Sequence, residues 1–138
     1  MHTEMLAKET VNAAYRLYHD IGPGLLESVY EAVLADMLIQ RGYSVECQVP
    51  VPMVVGNRVF DVAFRADLVV DKCLLIELKS LETLLPVHGK QTLTYLRLMN
   101  FKLGLLINFG APTFRYCVRR IVLNHRDTAG SDLRIHVD

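Results

Sequence analysis

The chain has 138 residues, a length that suits a single domain. Hydrophobic residues make up 51% of it, which is enough for a packed core and excludes a disordered chain. Its 15 basic and 15 acidic residues cancel, so a strongly basic nucleic-acid-binding chain is excluded, whereas a local basic groove is not.

The first part of the sequence predicts two helices. Apolar residues at helical spacing predict the first helix over about residues 3–19, and the glycine-proline-glycine turn at 22–24 ends it. The second helix is predicted over about residues 26–41, with Gly42 well placed as its C-terminal cap. The predicted apolar stripe of this helix consists of Val29, Val33, Met37 and their neighbours.

The rest of the sequence predicts a sheet that is interrupted by one helix. The predicted elements are strands over 43–55, 59–70 and 74–79, a helix over 87–99, and strands over 103–109 and 113–123. Gly56-Asn57 is a hairpin turn signal between the first two strands. This order predicts an α/β fold with a mixed β-sheet flanked by helices. We predict one domain over residues 1–123, followed by a polar tail over 124–138.

The cysteines and the apolar segments indicate where the protein works. Cys47, Cys73 and Cys117 lack the spacing of a zinc site and lie among apolar residues. We therefore expect reduced, buried thiols in a cytoplasmic protein. No apolar window is long enough for a membrane span, and the first residues lack the pattern of a signal peptide, so we expect no membrane partner.

Charged side chains interrupt two predicted strands that are otherwise apolar. Asp67 lies in the strand that ends near residue 70, and Glu77 and Lys79 lie in the next strand. Because side chains alternate faces along a strand, Glu77 and Lys79 share one face. The opposite face, which we expect to enter the core, carries Leu74, Ile76 and Leu78.

The length of the loop between these two strands decides whether a shared site exists. A two-residue loop would pair Asp67 with Ile76 on the wrong face, whereas a three-residue loop over 71–73 pairs it with Glu77. In that register two carboxylates meet beside a lysine, and a divalent cation such as Mg²⁺ makes such a pair favourable. The alternative is a solvated sheet face on which the two acids pair with Arg65 and the lysine.

Polar side chains on the predicted helices add further candidates. Gln91 and Tyr95 lie four residues apart and share a helix face, with His88 on the same side. Such a pair can fix a water molecule or a phosphate oxygen; the alternative is a core tyrosine beside an exposed glutamine. Glu27 opens the second helix, where it is either a carboxylate aimed at the site or a favourable charge at the helix N-terminus.

Together these residues resemble a known pattern. Asp67, the Glu-Leu-Lys triplet at 77–79 and the Gln91–Tyr95 pair resemble the PD-(D/E)xK nuclease superfamily, in its RecB-like branch with a QxxxY motif. The segment GLLESVY at 24–30 resembles the signature of the GxxExxY protein family. The resemblance runs from about residue 11 to residue 123, nearly the whole chain.

The resemblance implies a restriction-endonuclease-like fold and the hydrolysis of phosphodiester bonds, with DNA as the default substrate. It implies Mg²⁺ as the cofactor, with Mn²⁺ as a possible substitute. The implied metal ligands are Asp67, Glu77 and the backbone carbonyl of Leu78. The implied catalytic residues are Glu27, Asp67, Glu77, Lys79, Gln91 and Tyr95. In this set Lys79 is the catalytic lysine, Glu27 positions the attacking water, and Gln91 and Tyr95 orient the site and touch nucleic acid.

The basic residues bear on the nucleic-acid partner. They collect late in the chain, at Arg97, Lys102, Arg115, Arg119, Arg120 and Arg126. We predict Arg115 and Arg119 on one face of the last strand, either in contact with phosphates or on a solvated outer face. In so small a chain, sequence specificity calls for a homodimer or a protein partner. The alternative function is a nucleic-acid-binding or assembly module that keeps the nuclease fold without turnover.

Overall fold

The computed structural model describes residues 2–124, and the predicted tail beyond residue 124 lies outside them. The elements are α1 (His2–Ile21), α2 (Glu27–Gln40), β1 (Val45–Val55), β2 (Arg58–Val70), β3 (Leu74–Lys79), α3 (Pro86–Met99), β4 (Leu103–Asn108) and β5 (Val118–Val122). A short 3₁₀-helix, Phe114–Tyr116, precedes β5. Within this range, every helix is too short or too polar to cross a bilayer.

The five strands form one sheet in the order β1-β2-β3-β4-β5. Neighbouring strands are antiparallel except for β3 and β4, which are parallel. A parallel pair needs a crossover connection, and α3 supplies it. The sheet is therefore mixed and flanked by helices, which confirms the predicted α/β class.

The two faces of β3 enter two different cores. Leu74, Ile76 and Leu78 pack in the cluster that includes buried residues of α1 and α2, as their predicted face requires. Leu75, on the other face, packs with Leu96 of α3. Glu77 and Lys79 alternate with the first set, so they lie on the face that Leu75 shares.

The buried face of α2 differs from the predicted one. Val29 and Val33 are 38% and 37% exposed, whereas Tyr30 and Leu34 are fully buried. The prediction is therefore wrong for Val29 and Val33, but it is confirmed for their neighbours, and Met37 packs partly buried against the core. Apolar residues surround this helix, so their spacing alone does not select a face. The Tyr30 ring decides it, because it stacks on Phe109 with 4.3 Å between the ring centroids.

Gly42 ends α2 as predicted. It has a φ of 96°, a conformation that glycine adopts without steric cost. Its N–H donates to the carbonyl of Ile39 at 2.9 Å, and the N–H of Tyr43 donates to that of Leu38 at 3.2 Å. These two bonds form a Schellman motif, which satisfies the last carbonyls of the helix.

The last predicted strand is only partly a strand. The N–H of Cys117 closes the 3₁₀ turn on Phe114 at 2.8 Å, and pairing with β4 begins only beyond it. Arg115 therefore lies in the 3₁₀-helix and does not share a strand face with Arg119, contrary to the prediction. Arg120 points elsewhere and forms an ion pair with Glu4 of α1.

The three cysteines are all free but differ in burial. Cys117 is buried and Cys73 is half-buried, whereas Cys47 is exposed. The prediction of buried thiols is therefore wrong for Cys47. Position in an edge strand does not decide this, because Val51 of the same strand is buried.

Candidate active site

The β2–β3 hairpin stops pairing where its charged residues begin. Val70 pairs with Leu74, so the loop 71–73 has the three residues that a shared acidic site requires. The last paired residues are Leu68 and Ile76. The next position in this register sets Asp67 opposite Glu77. These two residues are no longer paired, so the ladder between β2 and β3 opens here.

Asp67 occupies this opening and is held from both sides. The backbone N–H of Leu78 on β3 donates to its Oδ2 at 2.8 Å. The side-chain amide of Gln48 on β1 donates to its Oδ1 at 3.2 Å. Each oxygen of an ionised carboxylate has two lone pairs, so each oxygen retains one for a further partner.

Glu77 is a buried acid beside this carboxylate. Its residue is only 5% exposed, and its Oε1 has no hydrogen-bond partner within residues 2–124. Burial, and then the neighbouring Asp67, raise the pKa of Glu77 to about 10, while the charge of Lys79 acts in the opposite direction. A solvated sheet face, the alternative considered for these acids, is therefore wrong for Glu77.

The pair Asp67 and Glu77 fits a hard divalent cation. An ionised carboxylate with a buried, unpartnered oxygen is unfavourable unless a positive charge neutralises it, and hard divalent cations prefer oxygen ligands. In the described part of the chain, no group of three or more His, Cys, Asp or Glu side chains is placed to hold a metal ion. The two carboxylates would therefore need a backbone carbonyl, water or phosphate oxygens to complete a coordination shell.

Glu31 and Gln48 extend the acidic side of the site, although the sequence analysis did not single them out. The Gln48 amide also donates to Oε1 of Glu31 at 2.6 Å. Burial raises the pKa of Glu31, and the charges of Asp67 and Glu27 raise it further against the hydrogen bond from Gln48. The spacing of Glu31, four residues after Glu27 on one helix face, is the signal that could have revealed it.

The backbone of Gln48 is in an uncommon conformation. Its φ is 52°, although the flanking residues Cys47 and Val49 pair with β2 in one register. For a residue with a Cβ atom, this left-handed region costs about 1–2 kcal/mol. No sequence pattern predicts such a conformation at a glutamine inside a strand.

Glu27 lies at the start of α2, beside the end of β3. It lines a groove of about 480 Å³ that Ser80 and the segment 24–28 also line. The Ser80 hydroxyl ties the two parts together, because it donates to the carbonyl of Leu25 at 2.6 Å. The groove therefore opens directly after Lys79, and Glu27 is exposed in it.

Of the three candidates on α3, the structure places only Tyr95 against the two acids. Tyr95 faces the site: burial raises its pKa, and so do the charges of Glu77 and Asp67. Its ring stacks on Phe64 of β2, with 3.7 Å between the centroids. Gln91 is exposed one turn earlier. His88 is not available to the site in this arrangement, because its Nδ1 accepts the backbone N–H of Leu85 at 2.9 Å and caps the helix.

Asn108 and Gly110 fix the chain that follows Lys79. Asn108 is buried on β4, where its side chain accepts the N–H of Leu81 at 2.8 Å and donates to the Leu81 carbonyl at 2.9 Å. A Cβ atom at Gly110 would lie 2.3 Å from the same carbonyl oxygen, so only glycine fits. The sequence predicts a buried strand over 103–109 and a break that begins at Gly110, but it predicts neither of these contacts with Leu81.

Two carboxylates and a lysine therefore lie together in a mixed sheet, at the point where the pairing of β2 with β3 ends. The comparison with known families identifies the class of protein. The model of the PD-(D/E)XK nuclease superfamily matches residues 4–121, and the chain belongs to this superfamily, with its restriction-endonuclease-like fold. Such nucleases generally use divalent metals and act on nucleic acid. Neither a curated protein nor a solved structure matches the chain.

Proposed function

We propose that this protein is a Mg²⁺-dependent nuclease that hydrolyses phosphodiester bonds in DNA. The observation that carries the proposal is the meeting of Asp67 and Glu77 where the β2–β3 ladder opens, with one buried oxygen of Glu77 unsatisfied. Within the superfamily we assign the chain to the GxxExxY family and the RecB-like branch. The support is the segment 24–30 and the Gln91–Tyr95 spacing.

The metal would be held by three oxygen donors. These are the carboxylates of Asp67 and Glu77 and the backbone carbonyl of Leu78. A bound Mg²⁺, or Mn²⁺ in its place, supplies positive charge that stabilises the phosphate in the transition state and makes a nearby water more acidic. The N–H of Leu78 already holds Asp67 toward β3, which supports this ligand set.

The other residues act on the water and the phosphate. Lys79 donates hydrogen bonds to the attacking water or to a phosphate oxygen. Glu27 positions that water from the groove, and Gln91 and Tyr95 orient the site and contact the nucleic acid. The water oxygen bonds to phosphorus and gives up a proton to the solvent as the bond to the 3′ oxygen breaks. The products are a 5′-phosphate and a 3′-hydroxyl, whose oxygen takes up a proton.

The test is a cleavage assay on supercoiled plasmid, single-stranded DNA and RNA with Mg²⁺ or Mn²⁺. We expect DNA cleavage that Lys79→Ala lowers by about 10²–10³-fold, the effect of removing one group that stabilises transition-state charge. Lys72→Ala is the matched control, because this exposed lysine lies in the loop at the other end of the hairpin. Undiminished cleavage by Lys79→Ala contradicts the proposal, and cleavage of RNA alone contradicts the choice of DNA.

A second candidate is a nucleic-acid-binding or assembly module that keeps the fold without turnover. The equal numbers of acidic and basic residues and the lack of a third acidic or histidine ligand in residues 2–124 favour it. Metal binding that requires Asp67, without cleavage of any substrate, would select this candidate. In either case we propose a cytoplasmic protein that gains specificity from a homodimer or a protein partner, which sedimentation analysis of the purified protein tests.

A further inference from the structure

We infer that Gln48 is a positioning residue that fixes the carboxylate of Asp67 for the metal and is itself held by Glu31. The inference rests on the proposed function, since it needs a metal at Asp67. It concerns how the carboxylate of Asp67 is oriented before the metal binds. Neither Gln48 nor Glu31 belongs to the residues that would touch the metal or the substrate.

The first support is the match between the amide and its two partners. The Gln48 nitrogen lies 2.6 Å from Oε1 of Glu31 and 3.2 Å from Oδ1 of Asp67. A side-chain amide nitrogen has two hydrogens and a carboxylate only accepts, so one amide serves both acids at once. Glu31 is in turn fixed on α2, so the contact links the helix to the site.

The second support is the charge of the amide, which is zero. An amide holds Asp67 in place and leaves its negative charge available for a cation. A lysine or arginine at position 48 would neutralise the same carboxylate and compete with the metal. The N–H of Leu78 holds the other oxygen of Asp67, so neutral donors from two different strands restrain this carboxylate.

The third support is the backbone at position 48. A φ of 52° favours glycine, and nothing in the β1–β2 pairing requires a side chain with an amide there. The fold alone would therefore be served at least as well by glycine. The contacts of the amide with Glu31 and Asp67 are what a glutamine adds.

The test separates metal binding from fold stability in the full-length protein. Gln48→Gly removes the amide and relieves the backbone, so the thermal unfolding midpoint in EDTA should stay equal to that of the wild type or rise. Calorimetric titration with Mn²⁺ should show a Kd raised by about 10–100-fold, the usual effect of losing a contact behind a metal ligand. Lys72→Gly is the matched control, because Lys72 has a φ of 57° away from the site and should leave the Kd unchanged.

Two further variants distinguish a failure of this inference from a failure of the proposed metal site. Glu31→Gln keeps an oxygen that accepts the amide hydrogen, so it should bind Mn²⁺ far better than Gln48→Gly. If Glu31→Gln loses binding while Gln48→Gly keeps it, Glu31 is a direct ligand and the inference is wrong. If Asp67→Asn loses binding while Gln48→Gly binds as the wild type does, only the inference fails. If Asp67→Asn binds Mn²⁺ normally, the proposed metal site fails with it.

Discussion

The carboxylates at the two ends of the β2–β3 hairpin differ in their hydrogen-bond partners, and their pKa values are shifted in opposite directions. At the loop end, the Asp71 carboxylate accepts the backbone N–H of Ser44 at 2.8 Å and lies 2.8 Å from the ring of His2. These contacts, chiefly the one with Ser44, lower the pKa of Asp71. At the open end, Glu77 is buried with an unpartnered oxygen, and its pKa is raised to about 10.

The difference shows that one hairpin has an acid that stabilises the fold at one end and acids that could bind a cation at the other. At the loop end, the Asp71 carboxylate ties the loop to Ser44 and His2, in a turn where Asp71 and Lys72 both have positive φ values. At the open end, one buried oxygen of Glu77 has no hydrogen-bond partner within residues 2–124, which destabilises the fold by itself but leaves a place for a cation. The same ladder register produces both results, because the three-residue loop sets Asp67 opposite Glu77.

The largest expected difference between the two ends is in catalysis. Asp67→Asn should lower the rate of DNA cleavage by about 10³-fold, because a lost metal ligand forfeits several kcal/mol of charge stabilisation. Asp71→Asn should cleave at the wild-type rate, because its contacts only hold the loop. Initial rates at saturating Mg²⁺ measure both. Equal losses in the two variants would show that the open end is not the reactive one.

The next difference is in stability without metal. At pH 9 the folded protein holds Glu77 largely protonated, because its pKa is raised to about 10, whereas the unfolded chain holds it ionised. Glu77→Gln removes the cost of that protonation and should raise the free energy of unfolding in EDTA by about 1–3 kcal/mol at pH 9. The gain should grow with pH: the folded-state pKa of Glu77 is raised, so its favourable contribution is complete below the ordinary glutamate range and is lost as the pH rises toward about 10.

Denaturant unfolding at pH 5 and pH 9 measures this gain. Exposed Glu82 provides the control, because Glu82→Gln should show the same small difference at both pH values. A Glu77→Gln variant that is less stable than the wild type at pH 9 would mean that the charged acid has a partner in the metal-free protein.

The smallest expected effect is at the loop end. Asp71→Asn should lower the free energy of unfolding by about 1 kcal/mol at neutral pH, since the Ser44 contact changes from charged to neutral. The pKa of Asp71 is lowered, so the wild type has this advantage above the ordinary aspartate range and loses it as the pH falls from that range through the lowered pKa. Thermal unfolding at pH 7 and pH 3 tests this, and an undiminished difference at pH 3 would contradict it.

Much of this arrangement is readable from the sequence, since periodicity and turn chemistry determine it. The bounds of β3 are those predicted, and Gly42 ends α2 as expected. The alternation along β3 places Glu77 and Lys79 on one face. The sequence left the loop length open between two and three residues, and the structure decides it.

Other features depend on contacts that no local pattern contains. The buried face of α2 follows from the stacking of Tyr30 on Phe109, which are far apart in the chain. The role of Gln48 depends on a backbone conformation and on two partners from different elements. The 3₁₀-helix before β5 depends on where pairing with β4 starts. Each of these is set by tertiary structure, so spacing alone did not predict it.

The close approach of Gly110 to Leu81 affects how mutational scans of this protein are interpreted. In a library that replaces every residue and selects for activity, all substitutions at Gly110 should be depleted, as they are at metal ligands, because any Cβ atom collides with the Leu81 backbone. Depletion in such a screen therefore does not distinguish a steric limit from a chemical role. Only abundance measured alongside activity separates them, since Gly110 variants should disappear from both readouts and Asp67 variants from one.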